Sequence, residues 1–172
     1  TVAPVRRRWV KRLTQSLAAA GLHADVLEMA EGERFKRLAT VEKLAEELVR
    51  RSADRDAALI AFGGGVTGDI VGLLASLYMR GIDLVQIPTT VQAQVDAAIG
   101  GKTGVNLLSG KNLMGTFHQP RAVLIDPELL TTLPERQFRA GLYESLKAGV
   151  IGHPALFRCL EKVRKKELRR DT

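Results

Sequence analysis

Four glycines stand between a strand-like apolar run and a helix-like run in the segment IAFGGGVTGDIVG, at Gly63, Gly64, Gly65 and Gly68. Without a Cβ, glycine lets the backbone turn sharply and approach a ligand, and the amides that open the next helix point at an anion. The pattern is neither GxGxxG nor a P-loop. It predicts either a pyrophosphate cradle or a tight packing turn, and Asp69 is a candidate to cap the helix or bind a ligand hydroxyl.

A second candidate site lies in the polar segment PTTVQAQVDAAIGGKTGVNLLSGKNLMGTFHQP. Thr89 and Thr90 follow a predicted strand, at the edge where open α/β sheets bind ligands, and Asp96 stands in a helix that is otherwise small and apolar. Cations and amides among the glycines suit phosphate, carboxylate and hydroxyl groups. They are Lys102, Asn106, Lys111 and Asn112. Because loops this long rarely lack a function, we interpret the segment as ligand-binding.

Glu144 and Lys147 lie three residues apart in RAGLYESLKAG and so share a helix face. Spacing alone favours a surface ion pair, and the alternative is a metal-binding carboxylate beside a substrate lysine. Arg80, in YMRGID, is typical of a solvated helix end rather than a ligand clamp when judged by its sequence context alone.

These residues need a scaffold, and the pattern of apolar positions predicts one in which strands alternate with helices. The alternation predicts right-handed βαβ units and a Rossmann-like parallel sheet with helices on both faces. The predicted elements are a helix at 4–20, a strand at 24–29, a helix capped by Thr40, a strand at 57–62, a helix at 69–79, a strand at 83–88, a helix at 90–99, a glycine-rich loop at 100–118, a strand at 121–126, and helices at 134–150 and 155–169.

Composition narrows the classes of function. No apolar stretch is long enough to cross a bilayer, and the single cysteine, Cys159, excludes an internal disulfide and fits a cytoplasmic location. The chain contains no CxxC motif or histidine cluster, so no complete metal site is expected within it. The net charge of +7 is concentrated in basic runs at both ends with helical spacing, which predicts solvated helix faces rather than nucleic-acid binding.

Nine motifs in register between Gly63 and Gly149 resemble 3-dehydroquinate synthase, a member of the sugar-phosphate cyclases, and the clear match begins at about Gly32. They are GGGVTGD, YMRG, QIPTT, QVDAAIGGKTGVN, SGKN, GTFHQP, VLIDP, TLPERQFRAGL and ESLKAG. The resemblance implies an NAD-binding α/β domain at 1–132, without its first strand, and the start of a helical metal- and substrate-binding domain at 133–172. It also implies that most of this second domain is missing, so we expect the chain to be a fragment.

The family reaction turns 3-deoxy-D-arabino-heptulosonate 7-phosphate into 3-dehydroquinate and phosphate, in the shikimate pathway that leads to aromatic amino acids. Catalytic NAD accepts and returns a hydride, and a divalent metal, zinc or cobalt, polarises the oxygen being oxidised. The resemblance therefore implies a cytoplasmic carbon–oxygen lyase that binds a small sugar-acid phosphate, no nucleic acid and no membrane, and that is a homodimer at full length.

Family roles can be assigned wherever this sequence matches the motifs. Substrate-site positions are Arg80, Asp96, Lys102, Asn112 and Lys147, and Glu144 is the metal ligand. NAD positions are Glu33, Lys36, Gly64, Gly65, Asp69, Thr89, Thr90 and Lys111. Where the family usually has AEVIKYG this chain has YESLKAG, which places a bulky Tyr143 beside Glu144. None of the histidines, His23, His118 and His153, falls at the family's metal positions, so the chain alone is expected to be inactive.

Four alternatives remain open from the sequence. The first is a sister cyclase that acts on another sugar phosphate, and the second is a metal-dependent polyol dehydrogenase of the same fold. The third is a non-catalytic NAD-binding module, with a basic nucleic-acid-binding protein as a remote fourth. The Lys102 and Lys111 segments favour a phosphorylated and carboxylated substrate, and so the dehydroquinate branch.

Overall fold

A parallel three-stranded sheet lies at the centre of the computed structural model, which describes residues 1–162. The strands are β1 (Ala58–Gly63), β2 (Asp83–Pro88) and β5 (Ala122–Val123), in the order β1-β2-β5. β1 and β2 pair along six residues, from Ala58 opposite Asp83 to Gly63 opposite Pro88. The apolar runs AALIAF and DLVQIP therefore form the buried parallel strands that the sequence predicts.

Helices surround this sheet. Three consecutive helical segments, α1 (Ala3–Val5), a π-helix (Arg6–Val10) and α2 (Lys11–Ala19), form the N-terminal helical run. The others are α3 (Leu38–Arg50), α4 (Gly65–Leu77), the π-helix Ala93–Ala97, α5 (Glu135–Gly152) and α6 (Pro154–Lys162). No helix within residues 1–162 has the length and apolarity that a bilayer crossing requires.

Alternate residues of β1 enter two separate cores, one on each face of the sheet. Ala61 packs with α3 and α4, around Ile70 and Leu84. Phe62 packs on the opposite face against Val10 of the N-terminal helical run. Burying a side chain such as Ile70, which is fully inaccessible, stabilises the fold by roughly 1.5–3 kcal/mol. The prediction of a parallel sheet with helices on both faces is confirmed.

The segment 100–118 contains a β-hairpin, so the prediction of a continuous loop is wrong. β3 (Lys102–Val105) pairs antiparallel with β4 (Met114–Phe117). The Thr103 and Thr116 hydroxyls lie 2.8 Å apart, and the Thr116 hydroxyl donates to Ser76 on α4 at 2.8 Å. Each strand has four residues and contains a glycine, which weakens the strand signal in the sequence.

Two further predictions at the N-terminal side are wrong. Residues 24–29 do not form a strand, because Ala3 begins a helix directly after Val2 and leaves a single bridge between Val2 and Met29. Thr40 is not a helix cap, since α3 begins two residues earlier and the Thr40 hydroxyl donates to the Phe35 carbonyl at 2.7 Å.

The remaining elements agree with the sequence apart from their ends. The helix predicted at 69–79 begins at Gly65, and the helix predicted at 90–99 contains the π-helix Ala93–Ala97. The strand predicted at 121–126 is reduced to Ala122–Val123. The last two helices are present, and the part of the second one predicted beyond Lys162 lies outside the described residues.

Candidate active site

A cavity of about 1030 Å³ opens where β1 and β2 end and α4 begins. That is the carboxyl edge of the sheet, where open α/β folds bind their ligands. All but three of the predicted site residues line the cavity. They are Glu33, Lys36, Gly64, Gly65, Asp69, Thr89, Thr90, Asp96, Lys102, Lys111 and Asn112.

The glycine turn brings the start of α4 to this cavity. β1 ends at Gly63, Gly64 is in an extended conformation and α4 begins at Gly65. A Cβ on Gly64 would lie 3.1 Å from Cγ2 of Thr90, so the turn packs closely against the end of β2. The close-packing interpretation of the glycines is therefore confirmed, and ligand approach at the same turn stays a prediction. The cavity also faces the helix N-terminus, which favours an anionic group.

Lys36 is a buried cation in the cavity wall. Its side chain is 6% exposed, and its ammonium donates to the carboxylate of Asp69 and to Oδ1 of Asn112. Burial raises the pKa of Asp69 above its ordinary value, against the opposing hydrogen bond and charge of Lys36. Three predicted site residues from three different segments are thus held together by one ammonium group.

Asp96 and Lys102 form a more exposed pair at the cavity. The Lys102 ammonium lies 3.4 Å from Oδ1 of Asp96, and their side chains are 58% and 37% exposed respectively. Lys111 lines the cavity from the hairpin turn. An exposed pair of this kind adds little to stability, so both lysines remain available to an anionic ligand.

Glu144 and Lys147 lie beside the cavity rather than in its lining. Gly141 allows α5 to pack closely against the segment just before the π-helix Ala93–Ala97. A Cβ at Gly141 would lie 2.5 Å from Cβ of Val91. One turn later, Oε2 of Glu144 is a buried atom whose partner is the Lys147 ammonium. The hydrogen bond and charge of Glu144 raise the pKa of Lys147, with a smaller contribution from Asp96.

A buried carboxylate oxygen that meets a single cation is a suitable metal ligand, but a zinc site requires at least three protein ligands. Residues 1–162 contain no group of three or more histidine, cysteine, aspartate or glutamate side chains that could hold a metal ion. The role of Glu144 as a metal ligand therefore stays a prediction.

Arg80 lies away from the cavity. It ends the 3-10 turn Tyr78–Arg80, which follows the C-terminus of α4, and it is exposed with a left-handed φ of 69°. The 13 residues of α4 separate it from the glycine turn by roughly 20 Å, at about 1.5 Å per residue. Within this chain, Arg80 is therefore not brought together with the other substrate-site candidates.

The N-terminal helical run contributes two cavity residues that sequence reasoning missed. Arg8 and Trp9 line the cavity. The Arg8 guanidinium donates to the Thr132 carbonyl at 2.8 Å, and the Trp9 indole donates to the Thr132 hydroxyl at 3.1 Å. The basic run around Arg8 is exposed as expected, and it also attaches this helix to the segment before α5. Only tertiary packing reveals that role, since the helical periodicity equally fits a purely solvated face.

A parallel α/β domain with a glycine turn and a polar cavity at its carboxyl edge belongs to the broad class of nucleotide-binding folds. Within that class, the family model for the 3-dehydroquinate synthase N-terminal region matches residues 26–140, which is more than half of the chain. The chain belongs to the 3-dehydroquinate synthase family.

Curated relatives agree with this assignment. The 3-dehydroquinate synthase of Koribacter versatilis is 54% identical over 171 residues, which cover 99% of this chain and 47% of the relative. The chain spans about half the length of the curated relatives it matches.

Solved structures of sister cyclases share the fold. The 2-epi-5-epi-valiolone synthase of Streptomyces hygroscopicus, solved with NAD⁺ and Zn²⁺, is 40% identical with a TM-score of 0.89, over 93% of this chain and 45% of that one. A 2-deoxy-scyllo-inosose synthase, solved with carbaglucose-6-phosphate, NAD⁺ and Co²⁺, is 36% identical with a TM-score of 0.82, over 87% of this chain and 41% of that one.

Proposed function

We propose that this chain forms the nucleotide-binding part of a 3-dehydroquinate synthase, which converts 3-deoxy-D-arabino-heptulosonate 7-phosphate into 3-dehydroquinate and phosphate. The observation that carries the proposal is the shared cavity. It combines a glycine turn and helix N-terminus, suited to a pyrophosphate, with Lys102, Lys111 and Asn112, suited to a phosphorylated and carboxylated substrate.

NAD fits the cavity by size and by chemistry. About 1030 Å³ lies at the upper end of the range for ligand pockets, which suits a dinucleotide beside a substrate. Gly64 and Gly65 face the pyrophosphate, while Thr89, Thr90 and Asp69 offer hydroxyl and carboxylate groups to the ribose and nicotinamide portions. Glu33 and Lys36 border the adenosine end. When bound, NAD supplies a reversible hydride acceptor, and these residues hold its ring against the substrate.

On the substrate side, the chain supplies lysine cations, one of which forms an ion pair with Asp96. The Lys102 ammonium lies 3.4 Å from Asp96 in an exposed ion pair. It binds an anionic substrate group by giving up this pair for a stronger charge-assisted hydrogen bond. Asn112 and Lys111 extend the same surface. Lys147, whose pKa is raised by Glu144, stays protonated and adds a third cation beside the cavity. These groups orient one flexible substrate through successive steps.

Glu144 is proposed as one ligand of a divalent metal, zinc or cobalt, which supplies Lewis-acid polarisation of a substrate oxygen when bound. The other ligands would come from the part of the relatives' length that this chain does not span. In the same proposal, 1–132 is the NAD-binding domain and 133–172 begins the helical metal and substrate domain. Arg80 is distant from this cavity, so its proposed substrate role requires the assembled enzyme. The family resemblance implies that this enzyme is a cytoplasmic homodimer.

A sister cyclase is the second candidate, favoured by the TM-score of 0.89 to the valiolone synthase. The two functions differ in the substrate carboxylate, which a dehydroquinate synthase must bind. We would therefore assay phosphate release by a version of the protein as long as its curated relatives, with NAD and zinc. The substrates are 3-deoxy-D-arabino-heptulosonate 7-phosphate and a heptulose phosphate without the carboxylate. Turnover of the first supports the proposal, and turnover of only the second assigns the sister activity.

A further inference from the structure

Asn106 is a buried amide at the end of β3, only 8% exposed. The sequence marks it as a candidate for ligand binding, but it is not among the residues that line the cavity, and it has none of the NAD, substrate or metal roles proposed above. Buried amides are retained where their donors and acceptors are all used, because an unsatisfied one destabilises the fold. The partners of Asn106 therefore indicate what this side chain does.

Three of its polar groups each bind a different cavity residue. The side-chain Nδ2 donates to Oε1 of Glu33 at 2.8 Å. The side-chain Oδ1 accepts from the backbone N–H of Asn112 at 2.9 Å. The Asn106 backbone N–H donates to the carbonyl of Lys36 at 2.8 Å. All three partners line the cavity.

The contact to Asn112 also fixes an unusual backbone conformation. Asn112 has a φ of 56°, in the left-handed region that costs most side chains energy and that asparagine tolerates best. Its N–H is bound by Asn106 and its side-chain oxygen by Lys36. The turn that carries Lys111 and Asn112 is thereby tied to the turn that carries Glu33 and Lys36.

We infer that Asn106 is a positioning residue that joins the NAD-side wall of the cavity to its substrate-side wall. Through Nδ2 it aims the Glu33 carboxylate, and through Oδ1 it holds the Asn112 backbone. The two contacts require one donor and one acceptor at this side-chain length, which asparagine supplies and aspartate does not. The inference rests on the proposed function for its consequence, tighter NAD binding, but the two tethers are properties of this chain alone.

Exchanging donor and acceptor tests the Glu33 tether. Asn106→Asp places two carboxylates together, and we expect NAD affinity of the 172-residue chain, measured by calorimetry, to fall about tenfold or more. In the double variant Asn106→Asp with Glu33→Gln, the new amide donates to the new carboxylate. The double variant should then bind NAD at least as well as Glu33→Gln alone, although each single change weakens binding. Additive losses would overturn the inference.

Hydrogen exchange at the Asn112 amide tests the second tether without any ligand. Asn106→Asp keeps an acceptor there and should keep the amide protected, while Asn106→Leu removes it and should leave the amide exchanging at least tenfold faster. Ser76→Ala is the matched control, because it loosens the hairpin through Thr116 instead. It should leave NAD affinity and Asn112 protection within twofold of wild type.

The two kinds of failure are distinguishable. If the wild-type chain binds no NAD, the proposed function loses its support, and Asn112 protection still decides whether Asn106 holds that turn. If NAD binds but Asn106→Asp lowers only the melting temperature, then Asn106 is a packing residue and the inference is wrong. Equal exchange of the Asn112 amide in wild type and in Asn106→Leu would contradict it as well.

Discussion

The Lys36 ammonium and the Asp69 carboxylate form an ion pair in which the lysine side chain is 6% exposed and the aspartate 21%. Burial raises the pKa of Asp69 even though its partner opposes the change. A pair whose acid is harder to ionise in the fold than in water does not serve stability. Its place in the cavity wall agrees instead with a functional use of both groups.

The raised pKa of Asp69 predicts how stability depends on pH. Below the pKa that Asp69 has in the unfolded chain, its carboxyl is neutral in both states, so burying it carries no charge penalty. This contribution is lost as pH rises through the higher pKa of the folded state. The free energy of unfolding of wild type relative to Asp69→Asn should therefore fall from pH 4 towards neutrality, as measured by denaturant titrations. A difference that rises with pH would mean that Lys36 lowers the pKa of Asp69.

We expect Asp69→Asn to affect stability and binding differently. At pH 7 the variant should unfold with a free energy close to that of wild type, because removing a poorly solvated carboxylate is offset by the loss of the counter-charge of the buried Lys36 ammonium. Its NAD affinity should be about tenfold weaker, since it loses the charged acceptor proposed for a ligand hydroxyl. Unchanged affinity in calorimetry would remove Asp69 from the NAD site.

Removing the lysine should be far more damaging than removing the acid. Lys36→Met leaves the carboxylate of Asp69 and the amide oxygen of Asn112 without their donor, and we expect the free energy of unfolding to fall by about 3 kcal/mol. The double variant with Asp69→Leu has no charge left to pair and should regain most of that loss. If the double variant loses as much stability as the Lys36→Met and Asp69→Leu single variants together, the pair is not energetically coupled.

The docking of the hairpin on α4 depends on the space above Gly72. A Cβ there would lie 2.6 Å from Cγ2 of Thr103. Gly72→Ala should lower the free energy of unfolding by roughly 1–3 kcal/mol through this overlap. Adding Thr103→Ser removes the clashing methyl group and should restore stability. Gly152→Ala is the control, because a Cβ there meets nothing within 4 Å, and it should leave the unfolding transition almost unchanged.

The 172-residue chain is expected to bind NAD without turning over substrate. Its described residues offer Glu144 but no group of three metal-binding side chains. Phosphate release from 3-deoxy-D-arabino-heptulosonate 7-phosphate, with NAD and zinc, should be undetectable with this chain. It should appear with a version as long as the curated relatives. Metal-dependent turnover by the short chain would mean that other residues complete the metal site.

Sequence patterns predicted the scaffold well where local rules decide the structure. The apolar runs of β1 and β2 and the glycines after β1 placed the sheet edge, and Thr89 and Thr90 followed from it. The hairpin of β3 and β4 was not predicted, because short strands that contain glycine resemble a loop in sequence. The position of Arg80 follows from the length of α4, a signal that the sequence already contained.

Other features depend on contacts between distant segments, which periodicity does not describe. Arg8 and Trp9 reach Thr132 more than 120 residues away along the chain, and no local pattern indicates that contact. The three partners of Asn106 likewise come from two separate segments. Sequence reasoning therefore located the candidate residues, while the tethers that hold them required the structure.

Calorimetric titration of NAD into the 172-residue chain tests the central claim most directly, because that claim places a dinucleotide site in the cavity below the glycine turn. We expect saturable binding at one site per chain. Gly64→Ala should weaken binding about tenfold, because its Cβ enters the close approach to Thr90, and Gly152→Ala should leave it unchanged. Absence of binding by a folded wild-type chain, or equal affinity of all three proteins, would contradict the claim.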